Sequence, residues 1–445
     1  MSGPATRARP SISLAHAPPF RLVAAYFLTA ALCAAAGGVL VATGFGDPRN
    51  PLEVGTLAVM HLWLVGWLSL TAVGVLVQFL PVTSGVSLLS PRLAWIHLGL
   101  HATGLAGIVG AFLSGLESRL APIAGAVLWS GLVLTAINLG TTLWRSRARN
   151  VWRTGALLAL SHLIVTPTVG WLLLTFLGTA FVARHHVALL VAHAHLGLVG
   201  WLFGLVVAVG GRLLPMFLAA PEPKPWQVGT ALALIQTGLG ALALAVPFPA
   251  LASVAVTLLA LALCWWVGVM TVSFCRRKKT SPDAPLATAW SGLGLLALVA
   301  AAGVVAHGRP GLDGWGTYGL LALAAGSLMT TGLLYRIVPF LVRLDRFRRL
   351  PGNPAVPALD QFLGTIPFRS QLGILATGFA CAVVDSVLPM RAVNLTGRLM
   401  IAVGTVGLAY NLASLLLGPP RWRRLFVRPR VEPAGPESQA DLSED

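Results

Sequence analysis

An all-α polytopic membrane protein, with about 12 transmembrane helices in three pseudo-repeated four-helix arcs, is the fold class that three features of the sequence predict. Hydrophobic residues make up 56% of the 445 and charged residues only 10%. Apolar stretches of about twenty residues recur from Phe20 to Leu417, the length that crosses a hydrocarbon core at a rise of about 1.5 Å per helical residue. One phrase also occurs twice in register, His61-Leu62-Trp63-Leu64-Val65-Gly66-Trp67 and His195-Leu196-Gly197-Leu198-Val199-Gly200-Trp201. A β-barrel is excluded, because its strands are far shorter than these runs.

The predicted spans are, in order, 20–45, 52–81, 92–115, 119–143, 152–180, 187–217, 227–247, 250–274, 285–306, 314–342, 366–389 and 393–417. Glycine and proline inside them do not argue against helices, since packed membrane helices tolerate both. A cytoplasmic N-terminal segment, 1–18, precedes a single membrane domain, 19–418, whose repeats run over 19–143, 152–274 and 285–418. A basic and then acidic cytoplasmic tail, 419–445, follows, and its end from Glu437 to Asp445 is expected to be disordered. No compact signal-peptide pattern with a small-residue cleavage site precedes the first span, which is therefore expected to stay as a helix.

A formal net charge of +17 raises the question of nucleic acid, but the placement of the charges answers it. With the N-terminus inside, the inner segments hold Arg7 and Arg9, Arg92, the Arg145-to-Arg153 group, Arg276 to Lys279, Arg343 to Arg349 and the tail arginines from Arg421. The outer loops hold only scattered charges, such as Asp47, Arg49, Glu117, Arg119, Arg184 and Arg309. This positive-inside pattern predicts an even number of spans, cytoplasmic termini and a bacterial-type inner (cytoplasmic) membrane. The partner it implies is the lipid bilayer with its anionic head groups, and no nucleic acid. Cys33, Cys264, Cys275 and Cys381 have no partners at zinc-site spacing and read as small buried hydrophobes.

Both copies of the phrase run on to a proline at the same distance, Pro81 and Pro215, and laying the helices out by proline adds Pro339. Gln78, Arg212 and Arg336 stand three residues before these prolines, and Gly74, Ala208 and Gly332 also coincide. The repeated spans are thus the second, sixth and tenth, one for every four helices. In the third copy the histidine position is Gly319, with Tyr318 beside it. Structural repeats in a membrane place ligand sites where they face one another, and His61 and His195 are expected at matching depth, each about nine residues or roughly 13 Å from the outer end of its span.

Twelve spans in three arcs, with histidines in spans two and six, resemble the catalytic subunit I of haem-copper oxidases. The phrase His193-Ala194-His195-Leu196-Gly197-Leu198-Val199-Gly200-Trp201 resembles the C-type, or cbb, branch and its small relatives, as does the His97-Leu98-Gly99-Leu100-His101 pair at the start of the third span. The resemblance implies haem b and copper as cofactors and respiratory-complex or cytochrome subunits as partners. By matching position it makes His61 an axial haem ligand, and His195 or His193 a copper ligand. It also requires an adjacent histidine pair in span seven and two haem ligands in span ten. Gln227 to Phe248 and Trp315 to Leu344 contain no histidine, so the oxygen-reducing centre cannot be completed in that pattern. Asp385 is the one carboxylate well within a span, which also speaks against a carboxylate relay for protons.

From the residues alone, several alternatives stay open. His61, His193 and His195 are candidate cofactor ligands, with His193, His195, His97 and His101 as candidate metal ligands. Each of them also reads as a neutral histidine hydrogen-bonded between helices. His193 and His195 are two apart, so they point to nearly opposite sides and suit two different pores. His97 and His101 are spaced i, i+4 on one face, as a bidentate site requires, or as packing allows. His185 and His186 read as surface groups or a copper-capture site with His193, and His162 as a core histidine. Tyr318 is a further haem-ligand candidate. Arg212 and Arg336 read as arginines snorkelling at helix ends, or as holders of a propionate or anionic lipid. The functional expectation is an oxidase-like redox, sensing or assembly protein linked to respiration, with reduction of oxygen or nitric oxide if it is catalytic. A transporter of small solutes or metal ions, using the helix-lined pores without a cofactor, is the alternative.

Overall fold

The computed structural model describes residues 16–116, 120–147, 149–279, 281–309, 314–347, 356–364 and 366–418. The tail 419–445, the first fifteen residues with Arg7 and Arg9, and Glu117, Arg119, Arg348 and Arg349 lie outside the described residues. The described chain is an all-α polytopic membrane protein with twelve helices long and apolar enough to span a bilayer. They are α1 (Phe20–Ala42), α2 (Val54–Ser84), α3 (Pro91–Leu113), α4 (Ala121–Arg145), α5 (Val151–Thr175) and α6 (Ala180–Leu218), then α7 (Pro225–Leu244), α8 (Leu251–Cys275), α9 (Ala284–His307), α10 (Trp315–Phe347), α11 (Phe368–Val387) and α12 (Arg391–Leu417).

Local chemistry sets the ends. Ser90, Asn150, Thr179 and Asp283 cap α3, α5, α6 and α9, each accepting a bond from the backbone N–H three residues on. α6 starts at Ala180 rather than 187, because the Thr179 cap nucleates it before the apolar run begins. The prolines do not end their helices. Pro81, Pro215 and Pro339 lie inside α2, α6 and α10, whose last turns continue past them. Tertiary packing holds these turns despite the missing N–H of proline.

Helices adjacent in sequence mostly pack side by side, and α12 closes back on α1. The three repeated helices meet inside. Trp201 Nε1 of α6 donates to Ser69 Oγ of α2 at 3.0 Å, Gly326 of α10 faces the Leu68 side chain of α2, and Tyr318 of α10 bonds His195 of α6. Spans two and six are therefore neighbours, a point the sequence left open. α2 and α10 are the most enclosed of the twelve. Close approach depends on small residues: a Cβ on Gly332 would meet the backbone of Pro285 and Ala289 in α9.

The repeated phrase has a distinct backbone. Leu62–Ser69 and Leu196–Phe203 are π-helical, each beginning directly after the phrase histidine. A second π segment, Val206–Gly210, follows in α6, whereas α10 is α-helical throughout. In both copies the histidine ring donates to the carbonyl four residues back, His61 Nδ1 to Leu57 O and His195 Nδ1 to Val191 O, each at 2.8 Å. A side chain that shares a ladder carbonyl loosens the turn that follows. In α2, Ser69 Oγ then donates to Leu64 O, five residues back, at 2.8 Å. π segments of this kind are rare and concentrate at functional sites.

Polar clamps hold the bundle at its ends. Asp385, expected inside the membrane, lies in the last turn of α11 and is 2% exposed. It accepts from Arg49 Nη2 and Asn394 Nδ2, both at 2.7 Å, and from Met390 N at 3.0 Å, and so ties the end of α11 to α12 and to the segment before α2. Arg212 and Arg336 each meet a carboxylate near the end of their helix: Arg212 lies 3.5 Å from Glu222, and Arg336 pairs with Asp283. Lys279, between α8 and α9, also pairs with Asp283, at 3.1 Å. Its ammonium is held below its ordinary pKa by desolvation first and by the nearby Arg336 cation second. The cysteines form no disulfide, and Cys264 and Cys275 are exposed on the outer face of the bundle, not buried as expected.

Candidate functional site

A cavity of about 460 Å³ opens between α2, α4, α5, α6 and the start of α10. Its walls are mainly apolar, with Leu64, Leu132, Leu163 and Leu190 among the side chains. Three histidines from the repeated helices reach it, His61 from α2 and His193 and His195 from α6, and His186 lines it as well. It is of the size that ligand sites commonly have, and it combines an apolar body with a few convergent polar groups.

His61 and His193 face one another. Their ring centroids are 6.4 Å apart and their planes differ by 18°. Each ring is fixed by a bond from Nδ1 to a backbone carbonyl, Leu57 O for His61 at 2.8 Å and Thr166 O for His193 at 2.9 Å. That bond makes Nδ1 the protonated nitrogen and leaves Nε2 with its lone pair, the arrangement in which imidazole binds a metal. Phe112 packs on His61 at 4.9 Å between centroids. Gly170 of α5 makes room for the His193 ring, since a Cβ there would come within 2.7 Å of His193 Cε1.

His195 is different. Its Nδ1 donates to Val191 O, but its Nε2 accepts from the hydroxyl of Tyr318 at 3.1 Å. The two rings are nearly parallel, 14° apart, and Trp315 stands edge-on to both. The histidine that repeats most plainly in the sequence therefore has its lone pair engaged. Its unrepeated neighbour His193 has the free one. His193 and His195 diverge, as their spacing requires: both line this cavity, and His195 also lines a separate, smaller one of about 40 Å³ with Leu259 and Val299, which His193 does not reach. Tyr318, a haem-ligand candidate by sequence, serves as a hydrogen-bond donor.

The His97 and His101 pair lies elsewhere. Both are buried to 0% exposure in α3, with ring centroids 5.2 Å apart and planes at 76°. Tyr26 of α1 contacts His97 Nδ1 at 2.8 Å and donates its hydroxyl to Ala94 O at 2.8 Å. Neither histidine lines the large cavity, so the four candidate metal ligands do not converge on one point. Among the described residues, no group of three or more His, Cys, Asp or Glu side chains is placed to hold a metal ion. His162 donates from Nε2 to Gln236 Oε1 at 3.0 Å, as a core histidine does. His185 packs against Phe181, whereas His186, expected at the surface, lines the cavity.

A second cavity, about 160 Å³ and almost wholly apolar, lies where α2, α6 and α10 meet. It shares Leu198, Leu202 and Tyr318 with the first as a common wall. Sequence reasoning identified the histidines but not the pairing of His61 with His193. The signal available for that pairing was weak: Gly170, a small residue on the helix that faces His193.

No protein-family model matches the chain, and comparison with curated proteins finds no match either. Fold and cavity define the class, an all-α polytopic membrane protein with a histidine-lined cavity enclosed by its helices.

Proposed function

We propose that this is a haem-copper oxidase subunit I-like integral membrane protein that holds one haem b between His61 and His193 and lacks the oxygen-reducing centre. The observation that carries the reading is the pair of nearly parallel imidazoles that two helices bring together at one cavity. Two rings ligating one iron from opposite sides have centroids roughly 6.3 Å apart, from bonds of about 2 Å and ring radii of about 1.15 Å. The centroids here are 6.4 Å apart. Both rings have the tautomer that frees Nε2, and both open on an apolar cavity large enough for a flat cofactor.

When bound, haem supplies one-electron chemistry. The chain's own part is positional and electrostatic. The Leu57 and Thr166 carbonyls fix the two rings and raise their basicity as ligands. The leucine-rich walls exclude water, and Tyr318 keeps His195 out of the ligand set. The copper half of the oxidase pattern has no counterpart, since His195 is engaged and α7 and the described part of α10 offer no histidine. A redox, sensing or assembly role beside respiratory or cytochrome subunits follows, in a bacterial-type inner membrane with both termini cytoplasmic.

The test is the absorption spectrum of the purified full-length protein. A Soret band is expected in the wild type and in His195→Ala, with at least a tenfold loss of bound haem in His61→Ala and His193→Ala. A colourless wild type, produced with ample haem, overturns the proposal. Solute uptake by proteoliposomes of that colourless protein then favours the transporter.

A further inference from the structure

Trp144, in the last turn of α4, is 65% exposed, and two cations rest on it. The guanidinium carbons of Arg149 and Arg153 lie 5.8 and 5.4 Å from its ring centroid, within the reach of cation–π attraction. Arg149 comes from the connection between α4 and α5, and Arg153 from the first turn of α5. Arg153 Nε donates to Leu143 O at 2.9 Å, while Nη2 of the same group is buried without a hydrogen-bond partner. Arg145 and Arg147 are exposed in the same stretch of chain. Among the described residues no carboxylate pairs with any of these four arginines. Arg212 is the contrast, since it lies 6.0 Å from the Trp152 ring and has Glu222 as its counter-charge. Two like charges gathered on one ring repel unless an anion joins them, and here the chain supplies none.

We propose that this corner of the bundle binds one anionic phospholipid, its phosphate held by Arg149 and Arg153 and an acyl chain laid along α4. The setting argues for a lipid over a free anion. An exposed tryptophan at a helix end belongs to the interface between head groups and hydrocarbon. Ile137, seven residues before Trp144 and on the same helix face, is 51% exposed. Between them Gly140 leaves a notch, because a Cβ there would meet nothing within 4 Å. An apolar stripe thus runs up α4 into a ring flanked by guanidinium groups, whose planar fork matches phosphate oxygens. A zwitterionic head group brings its own cation to this cluster, whereas an anionic one leaves its charge for the arginines. Such a site is narrower than the general attraction of basic loops to an anionic leaflet, and it is independent of the haem reading.

The experiment titrates the purified, delipidated full-length protein with phosphatidylglycerol in detergent and counts bound lipid by native mass spectrometry. One tightly bound phosphatidylglycerol per chain is expected, with an affinity at least tenfold above that for phosphatidylcholine. The double variant Arg149→Gln/Arg153→Gln is expected to lose that preference. A matched pair, Arg276→Gln with Arg343→Gln, removes two exposed arginines from other basic clusters and is expected to bind as the wild type does. Arg149 is exposed, so Arg149→Gln alone, with severalfold weaker binding expected, serves if the double variant fails to fold. Equal affinity for the two lipids, binding unchanged in the Arg149 and Arg153 variants, or an equal loss in the matched pair each overturns the proposal. Inorganic phosphate that displaces the lipid at equal concentration also overturns it, since the acyl chain would then contribute nothing.

Discussion

A backbone carbonyl decides what each cavity histidine can do. His61 and His193 spend Nδ1–H on Leu57 O and Thr166 O and keep Nε2 for a ligand, while His195 spends both nitrogens. If His61 and His193 hold a haem as proposed, Tyr318→Phe frees the His195 lone pair without adding a ligand to it. The expected outcome is a Soret band of unchanged intensity, with a thermal stability lower by about 1 kcal/mol for the lost bond. Gly170 gives a sharper test of positioning. Gly170→Leu drives a side chain into the His193 ring and is expected to reduce haem retention more than tenfold. Gly99→Ala, where an added Cβ meets nothing within 4 Å, is expected to bind haem normally. Equal haem content in the two proteins would remove His193 from the site.

At the scale of the element, the π segments join two tasks. They follow a histidine that shares its own helix carbonyl, and in α2 the widened turn turns Ser69 toward both Leu64 O and Trp201 Nε1. Ser69→Ala leaves the buried Trp201 N–H unpaired and is expected to cost about 1–3 kcal/mol, measured as a fall in Tm in detergent. The α9 start makes a second test. Asp283 caps Leu286 N and also pairs with Lys279 and Arg336. Asp283→Ala is therefore expected to lower Tm more than Ser90→Ala, which removes a cap alone and costs about 1 kcal/mol. Equal shifts would mean that the ion pairs contribute nothing measurable.

For the whole molecule, closure of α12 on α1 and the central meeting of α2, α6 and α10 make one enclosed body. Asp385 helps to close it from the rim, and Asp385→Asn is expected to lower Tm because Arg49 then faces a neutral partner. If Asp385 instead carried protons for a reaction, stability would be unchanged and turnover lost. Orientation is testable at this scale too. A C-terminal green fluorescent protein fusion is expected to fluoresce, as cytoplasmic termini require, and a cysteine placed at Arg184 is expected to react with impermeant reagents from outside. The reverse pattern would invert the assignment.

Twelve apolar runs, their order and their approximate ends were legible in the sequence by itself, because a lipid solvent forces every crossing to be a long apolar helix and charge asymmetry orders the loops. The phrase at His61 and His195 likewise identified which helices repeat. What it could not identify was which histidines face one another. Two copies of a histidine are equivalent in sequence, yet one meets His193 across a cavity and the other meets Tyr318. That difference rests on which helix faces which, on the room Gly170 leaves and on a carbonyl each ring happens to reach. The π backbone was hidden for the same reason, since it arises where a side chain competes with the helix ladder and not from residue propensity. Hydrophobic length is a property of a segment and survives in the sequence. Ligand geometry is a property of several segments at once, and only the tertiary structure brings His61 and His193 to 6.4 Å.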